Sequence, residues 1–156
     1  IADSPTEPSL SGTNVMLSNK AAVGTEVYGI SGMSSTFVAA EVDGQTRLFQ
    51  RVSFNGNALK GSETLADVMQ LSGLVASIKM SGVGTMTDTS VCADLISLLL
   101  NDATYESSGS LSAKQSLLIE LDNGLVYQFT VKNDKIASCG TWSCPEFFEA
   151  FEAACE

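Results

Sequence analysis

Two turn signals constrain this chain more than anything else in it. Asp43-Gly44 separates the run Thr36–Val42 from the run Gln45–Val52, and Asp122-Asn123-Gly124 separates Gln115–Leu121 from Leu125–Lys132. A two-residue Asp-Gly loop favours a type I′ turn, which needs positive φ at both central residues and whose twist suits antiparallel strands. A three-residue loop containing glycine closes a hairpin as well. Parallel strands need crossovers of about a dozen residues or more, so these short loops commit the chain to antiparallel pairing.

The other elements are arranged around these hairpins. Asn14–Ser18 and Thr25–Ile30 read as strands, and Ser53–Lys60, with Asn55-Gly56, as a second turn region. Ser62-Glu63-Thr64-Leu65 opens a short helix running to about Gln70 and ended by Gly73. Leu74–Met80 reads as strand, with a continued helix as the alternative; Gly82 and Gly84 interrupt the pattern. Asp88 is a good N-cap for a helix through about Leu100, placing Val91, Cys92, Leu95, Ile96 and Leu99 on one face. Residues 102–113 are small and polar and read as a loop, and Lys135–Ser138 reads as a short strand. Ser143-Cys144-Pro145-Glu146 offers a capping box with proline in the first turn of a C-terminal helix. The expected fold is α+β: a mainly antiparallel sheet with a middle helix and a C-terminal helix packed at one side. Residues 1–12, with Pro5, Pro8 and three serines, read as a flexible arm, and residues 13–156 as one α+β domain.

Charge and composition narrow the function classes. Eight Lys and Arg against 18 Asp and Glu give a formal net charge of −10. That balance disfavours nucleic acid, whose binding rests on basic side chains meeting phosphates, and anionic membrane surfaces. A basic protein partner would gain long-range attraction. No apolar run approaches the roughly 20 residues of a membrane span. The polar start Ile1-Ala-Asp-Ser-Pro-Thr-Glu-Pro8 is what a cleaved signal peptide would leave, so the expectation is an exported, periplasmic protein.

The chain has four cysteines and no histidine. Without an imidazole it has no internal Ser-His-Asp or Cys-His relay and no His-ligated zinc. Export favours two disulfides, for which four cysteines allow three pairings. Cys144 and Cys155 lie eleven residues apart on one helix. At 1.5 Å per residue that is about 16 Å, beyond the roughly 7 Å a bridge tolerates. This leaves Cys139–Cys144 with Cys92–Cys155, or Cys139–Cys155 with Cys92–Cys144. The first is preferred because it makes a local loop and ties the middle helix to the last. A disulfide-stapled fold is therefore expected. Neither a Cys-x-x-Cys redox motif nor the repeated spacing of a Cys-only zinc site is present.

Other constellations carry less. Glu146, Glu149, Glu152 and Glu156 form an acidic stripe opposite Phe147, Phe148, Phe151 and Cys155, which reads as a solvated helix face. The glycines lack the spacing of a phosphate loop. A hydrolase built on Glu120, or on serine with Lys114 as base, ranks last, because an exposed lysine stays protonated. The segment Tyr105-Glu106-Ser107-Ser108-Gly109-Ser110 stands out as a candidate binding loop, with small hydroxyl side chains able to donate and accept hydrogen bonds. Gly82–Thr89 is a competing loop. No cofactor, metal ion or small-molecule substrate is expected.

In length, acidity, exported start, β-rich order and the Tyr105–Ser110 segment, the chain resembles the periplasmic immunity proteins of type VI secretion. It is most similar to those that neutralise a cell-wall amidase of the Cys-His, NlpC/P60-like type. The resemblance implies a non-enzymatic inhibitor that plugs the amidase cleft, with Ser107 and Ser108 hydrogen-bonding the enzyme's catalytic histidine. The alternative is an exported structural or envelope-assembly subunit, suggested by the proline-containing arm and by strand edges.

Overall fold

A computed structural model describes residues 20–31, 37–50, 63–107, 111–112 and 115–155. The expected arm 1–12, the strand Asn14–Ser18 and the turn Ser53–Lys60 lie outside the described residues. The fold is α+β, with ten strands and three helices among the described residues and antiparallel pairing throughout the described sheets.

The Asp43-Gly44 turn does what its sequence requires: φ is 54° at Asp43 and 72° at Gly44. It joins β2 (Phe37–Val42) to β3 (Gln45–Gln50), and β1 (Val27–Gly29) adds to β2 to complete a three-stranded sheet. The larger sheet comprises β4 (Val75–Met80), β5 (Gly84–Met86), β6 (Thr104–Ser107), β7 (Gln115–Leu121), β8 (Val126–Lys132), β9 (Lys135–Ala137) and β10 (Thr141–Ser143). Its strand order is β5-β4-β7-β8-β9-β10-β6.

Strand alternation gives this sheet one apolar face. Ile78 pairs with Ile119, which pairs with Tyr127; further along, Val131 pairs with Ile136, Ile136 with Trp142, and Trp142 with Tyr105. All of these are buried except Tyr105, which is half-buried. The alternate residues Lys79, Glu120, Val126 and Gln128 are exposed. A one-sided antiparallel sheet of this kind must be covered by another layer. The helices α1 (Leu65–Met69), α2 (Thr89–Asp102) and α3 (Pro145–Cys155) contribute Leu65, Val68, Met69, Leu95, Ile96, Leu99, Phe147, Phe148 and Phe151 to the same core.

Each helix start has a local cause. Thr64 caps α1 through its hydroxyl to the Asp67 N–H, and Asp67 reaches back to the Thr64 N–H. Asp88 caps α2 by accepting from the Ser90 and Val91 amides. Ser143 is not the residue that opens α3. It belongs to β10, and the Cys144 carbonyl accepts the first amides of the helix, from Phe147 and Phe148. Among the described residues no helix is long and apolar enough to cross a membrane.

The expected disulfide staples are not formed: none of the four cysteines is joined to another. For Cys139–Cys144 the cause is β10. Cys139 sits in the turn before it with φ 50°, whereas the Cys144 amide bonds to the Asp134 carbonyl at the far end of the β9–β10 pair. At about 3.3 Å per strand residue the two are on the order of 10 Å apart or more. For Cys92–Cys155 the cause is β5. The Cys155 side chain lies against Gly84, whereas the Cys92 thiol points to the Met86 carbonyl at 3.6 Å. Those two stations along β5 are about 6.6 Å apart, so the sulfurs do not meet.

The stretch read as a loop over residues 102–113 is also corrected. Asp102 closes α2, and Thr104–Ser107 forms the edge strand β6.

Candidate protein-binding site

The six residues singled out in sequence divide between β6 and the segment after it. Tyr105, Glu106 and Ser107 belong to β6, whereas Ser108, Gly109 and Ser110 lie outside the described residues. β6 is the last strand of the larger sheet and pairs only with β10, so one side of its main chain meets no strand among the described residues. Such an edge offers unpaired N–H and C=O groups to another chain.

Two contacts hold β6 in register. The Tyr105 ring meets Trp142 edge-on, with centroids 5.2 Å apart at 66°. Trp142 is itself immobilised: it is buried, and its indole N–H donates to the Ser138 carbonyl at 2.9 Å. One residue on, Lys135 donates to the Glu106 carboxylate at 2.5 Å. Both partners are more than a third exposed, so this ion pair orients the strand more than it stabilises the fold. The register between β6 and β10 shifts at Thr141/Trp142, a bulge of the kind that re-aims side chains at sheet edges. Tyr105 and Glu106 are thus anchoring residues, turned to Trp142 and Lys135. Sequence reading missed both partners, and only the aromatic Tyr105 among polar neighbours signalled a buried contact.

The competing segment Gly82–Thr89 is not a free loop. It contains β5 and ends on the α2 cap, and a Cβ at Gly84 would stand 2.8 Å from the Cys155 sulfur and 2.9 Å from its Cβ. Gly84 therefore serves close packing of α3 on the sheet.

A second feature had no sequence signal. Phe37, Leu48, Gln50, Asn123, Gly124, Leu125, Val126 and Gln128 line a groove of about 480 Å³ where the two sheets meet. Phe37 packs edge-on against Tyr127 at 4.7 Å. The Gln50 carboxamide bonds the Gln128 main chain twice, accepting from its N–H at 2.9 Å and donating to its carbonyl at 3.2 Å.

Two of the thiols, Cys144 and Cys92, are held in the protonated form. Burial pushes Cys144 up to about 12, with Asp134 and Glu146 adding in the same direction. Burial also raises Cys92. A thiol held above its ordinary value is a poor nucleophile and a poor metal ligand. Among the described residues no group of three or more His, Cys, Asp and Glu side chains could hold a metal ion. Compared with protein-family models, with curated proteins and with solved structures, the chain finds no match.

Proposed function

We propose that this chain is an exported inhibitor that acts by binding a protein: the periplasmic immunity partner of a Cys-His peptidoglycan amidase. The observation that carries the reading is the edge strand β6, fixed at its base by Trp142 and Lys135 and leading directly into Ser108-Gly109-Ser110. A rigid base reduces the ordering cost of presenting a short segment to a cleft. Serine hydroxyls are small enough to enter beside a catalytic imidazole, to which they can donate. The inhibitor itself has no histidine, so it engages such a site without chemistry of its own. A net charge of −10 favours encounter with a basic partner.

The test is to mix the purified chain with an NlpC/P60-like amidase. A stable complex and loss of peptidoglycan cleavage are expected; absence of a complex at micromolar concentration refutes the proposal. Replacing Ser107 and Ser108 together by tryptophan should weaken inhibition at least tenfold, corresponding to about 1.4 kcal/mol.

The second reading is an exported structural or envelope-assembly subunit, favoured by the groove between the sheets and by the outer edge of β3, which meets no strand among the described residues. Concentration-dependent self-association would support it, and a monodisperse monomer at high concentration would count against it.

A further inference from the structure

The three-stranded sheet carries an ordered apolar row on one face. Tyr28 pairs with Ala39, and Ala39 pairs with Leu48, so the three side chains stand side by side across β1, β2 and β3. Five large apolar side chains are exposed among the described residues, and Tyr28 and Leu48, each 55% exposed, are two of them. A third, Val126, lines with Leu48 the groove where the row reaches the larger sheet. Two residues along each strand, the same face carries Glu26, Glu41 and Thr46, all exposed. Glu41 pairs with Thr46, and Glu26 precedes Val27, the neighbour of Ala40. On the other side of the row lie uncharged Phe37 and Gln50, which pair with each other. Alternation sends Arg47 to the opposite face. The row is therefore apolar along its length and acidic along one flank. Tyr28 is also set in place. Its hydroxyl donates to Glu26 at 2.6 Å, and that bond, with the charges of Glu26 and Glu41, raises the phenol above its ordinary value.

We propose that this face docks a basic amphipathic helix of a protein partner, its apolar stripe along Tyr28, Ala39 and Leu48 and its lysine or arginine side chains over Glu26 and Glu41. Spacing selects a helix. Tyr28 and Leu48 are two strand spacings apart, about 9.6 Å. Helix residues i and i+7 are about 10.5 Å apart, so they meet the two large side chains, and the residue at i+3 or i+4 falls over the small Ala39 between them. An extended chain repeats one face at about 6.7 Å and falls out of step with the row. Charge selects the basic flank. Two exposed carboxylates stand beside the row in a chain of net charge −10, which attracts a cationic segment and rejects an acidic one. A tyrosine held at its hydroxyl offers flat apolar area at small ordering cost, as the anchors of protein interfaces do. This face is separate from β6, and the proposal does not rest on the amidase reading.

The probe is a synthetic amphipathic helical peptide of leucine and lysine, titrated into the full-length chain and followed by amide chemical shifts. Shifts should centre on Tyr28, Ala39 and Leu48, and the counterpart peptide with glutamate for lysine should not bind. Tyr28→Ser with Leu48→Ser should weaken binding about tenfold or more, while unchanged Trp142 emission shows that the core is folded. Val23→Ser with Leu74→Ser removes two exposed apolar side chains outside the row and should leave binding unchanged. Glu26→Gln with Glu41→Gln should weaken binding and flatten its salt dependence. The proposal is overturned by the absence of binding at about 100 µM peptide. It is overturned equally by binding that survives the Tyr28 and Leu48 substitutions, by shifts centred on the acidic stripe of α3, or by equal affinity for the glutamate peptide. Self-association or binding to phosphatidylcholine vesicles that is lost with Tyr28→Ser and Leu48→Ser assigns the row to a second copy or to a lipid surface, and overturns the proposal as well.

Discussion

Tyr105→Ala tests whether β6 is seated as described. The half-buried ring removes on the order of 100 Å² of apolar surface from water, worth about 2.5 kcal/mol at 25 cal/mol per Å². Its edge-on contact with Trp142 adds about 0.5–1.5 kcal/mol. An edge strand relaxes partly after truncation, and the unfolded chain is not fully extended, so the expected loss is about 2–3 kcal/mol. For a chain of this length that lowers Tm by about 5–10 °C. The assay is built in, because Trp142 is the single tryptophan. Its emission should be blue-shifted in the native protein, since the ring is buried, and should move to the red in the variant even before unfolding. Urea denaturation followed at this one fluorophore gives the stability change. Glu106→Gln is the comparator: it removes only a partly exposed ion pair and should cost about 0.2–1 kcal/mol, shrinking with added salt. An unchanged midpoint and unchanged emission in Tyr105→Ala would refute the seating of β6 and, with it, the preorganised base of the proposed binding segment.

Gly84→Ala should cost about 1–3 kcal/mol, because the new Cβ meets Cys155 within 3 Å, and Cys155→Gly should recover part of the loss in a double-mutant cycle on thermal midpoints. Asp88→Ala removes the acceptor for two α2 amides and should cost about 1 kcal/mol in urea denaturation, whereas Asp88→Asn should cost little. Alkylation of the denatured chain without reductant should count four thiols, and a count of none would restore the two expected bridges. Cys144 is raised in the folded state to about 12, so its contribution to stability is complete below the ordinary thiol range and is lost as pH rises toward 12. Cys144→Ala should flatten that alkaline decline.

The parts legible in sequence are those with a local cause. Positive φ at Asp43 and Gly44 follows from the dipeptide itself, and the α2 face Cys92, Leu95, Ile96 and Leu99 follows from a 3.6-residue period over fourteen residues. β5 was missed because Gly82 and Gly84 interrupt its pattern, and β10 because its bulge buries both Thr141 and Trp142 in succession, which breaks alternation. β6 was read as loop because an edge strand can be polar. The cysteine pairing failed along with β10: spacing along the chain says nothing about a short strand that holds two thiols apart. The Gln50–Gln128 bridge joins residues 78 apart and has no local signature at all.

Where a partner protein would bind follows from what the fold has already covered. One face of the larger sheet is sealed by helices, and its other face carries exposed Lys79, Glu120 and Gln128, with Val126 as the exposed apolar side chain among them. Recognition by this sheet therefore falls to its edges. β5, at one end, is three residues long and is held against Cys155 of α3. On β8, the Gln128 main chain is already bonded by Gln50. β6, at the other end, is the edge whose side chains are fixed from within by Trp142 and Lys135 while its outer main chain meets no strand among the described residues. A strand pinned on its inner side and open on its outer side is what a preorganised binding edge requires, which is why the serine-bearing segment that continues from β6 carries the functional proposal.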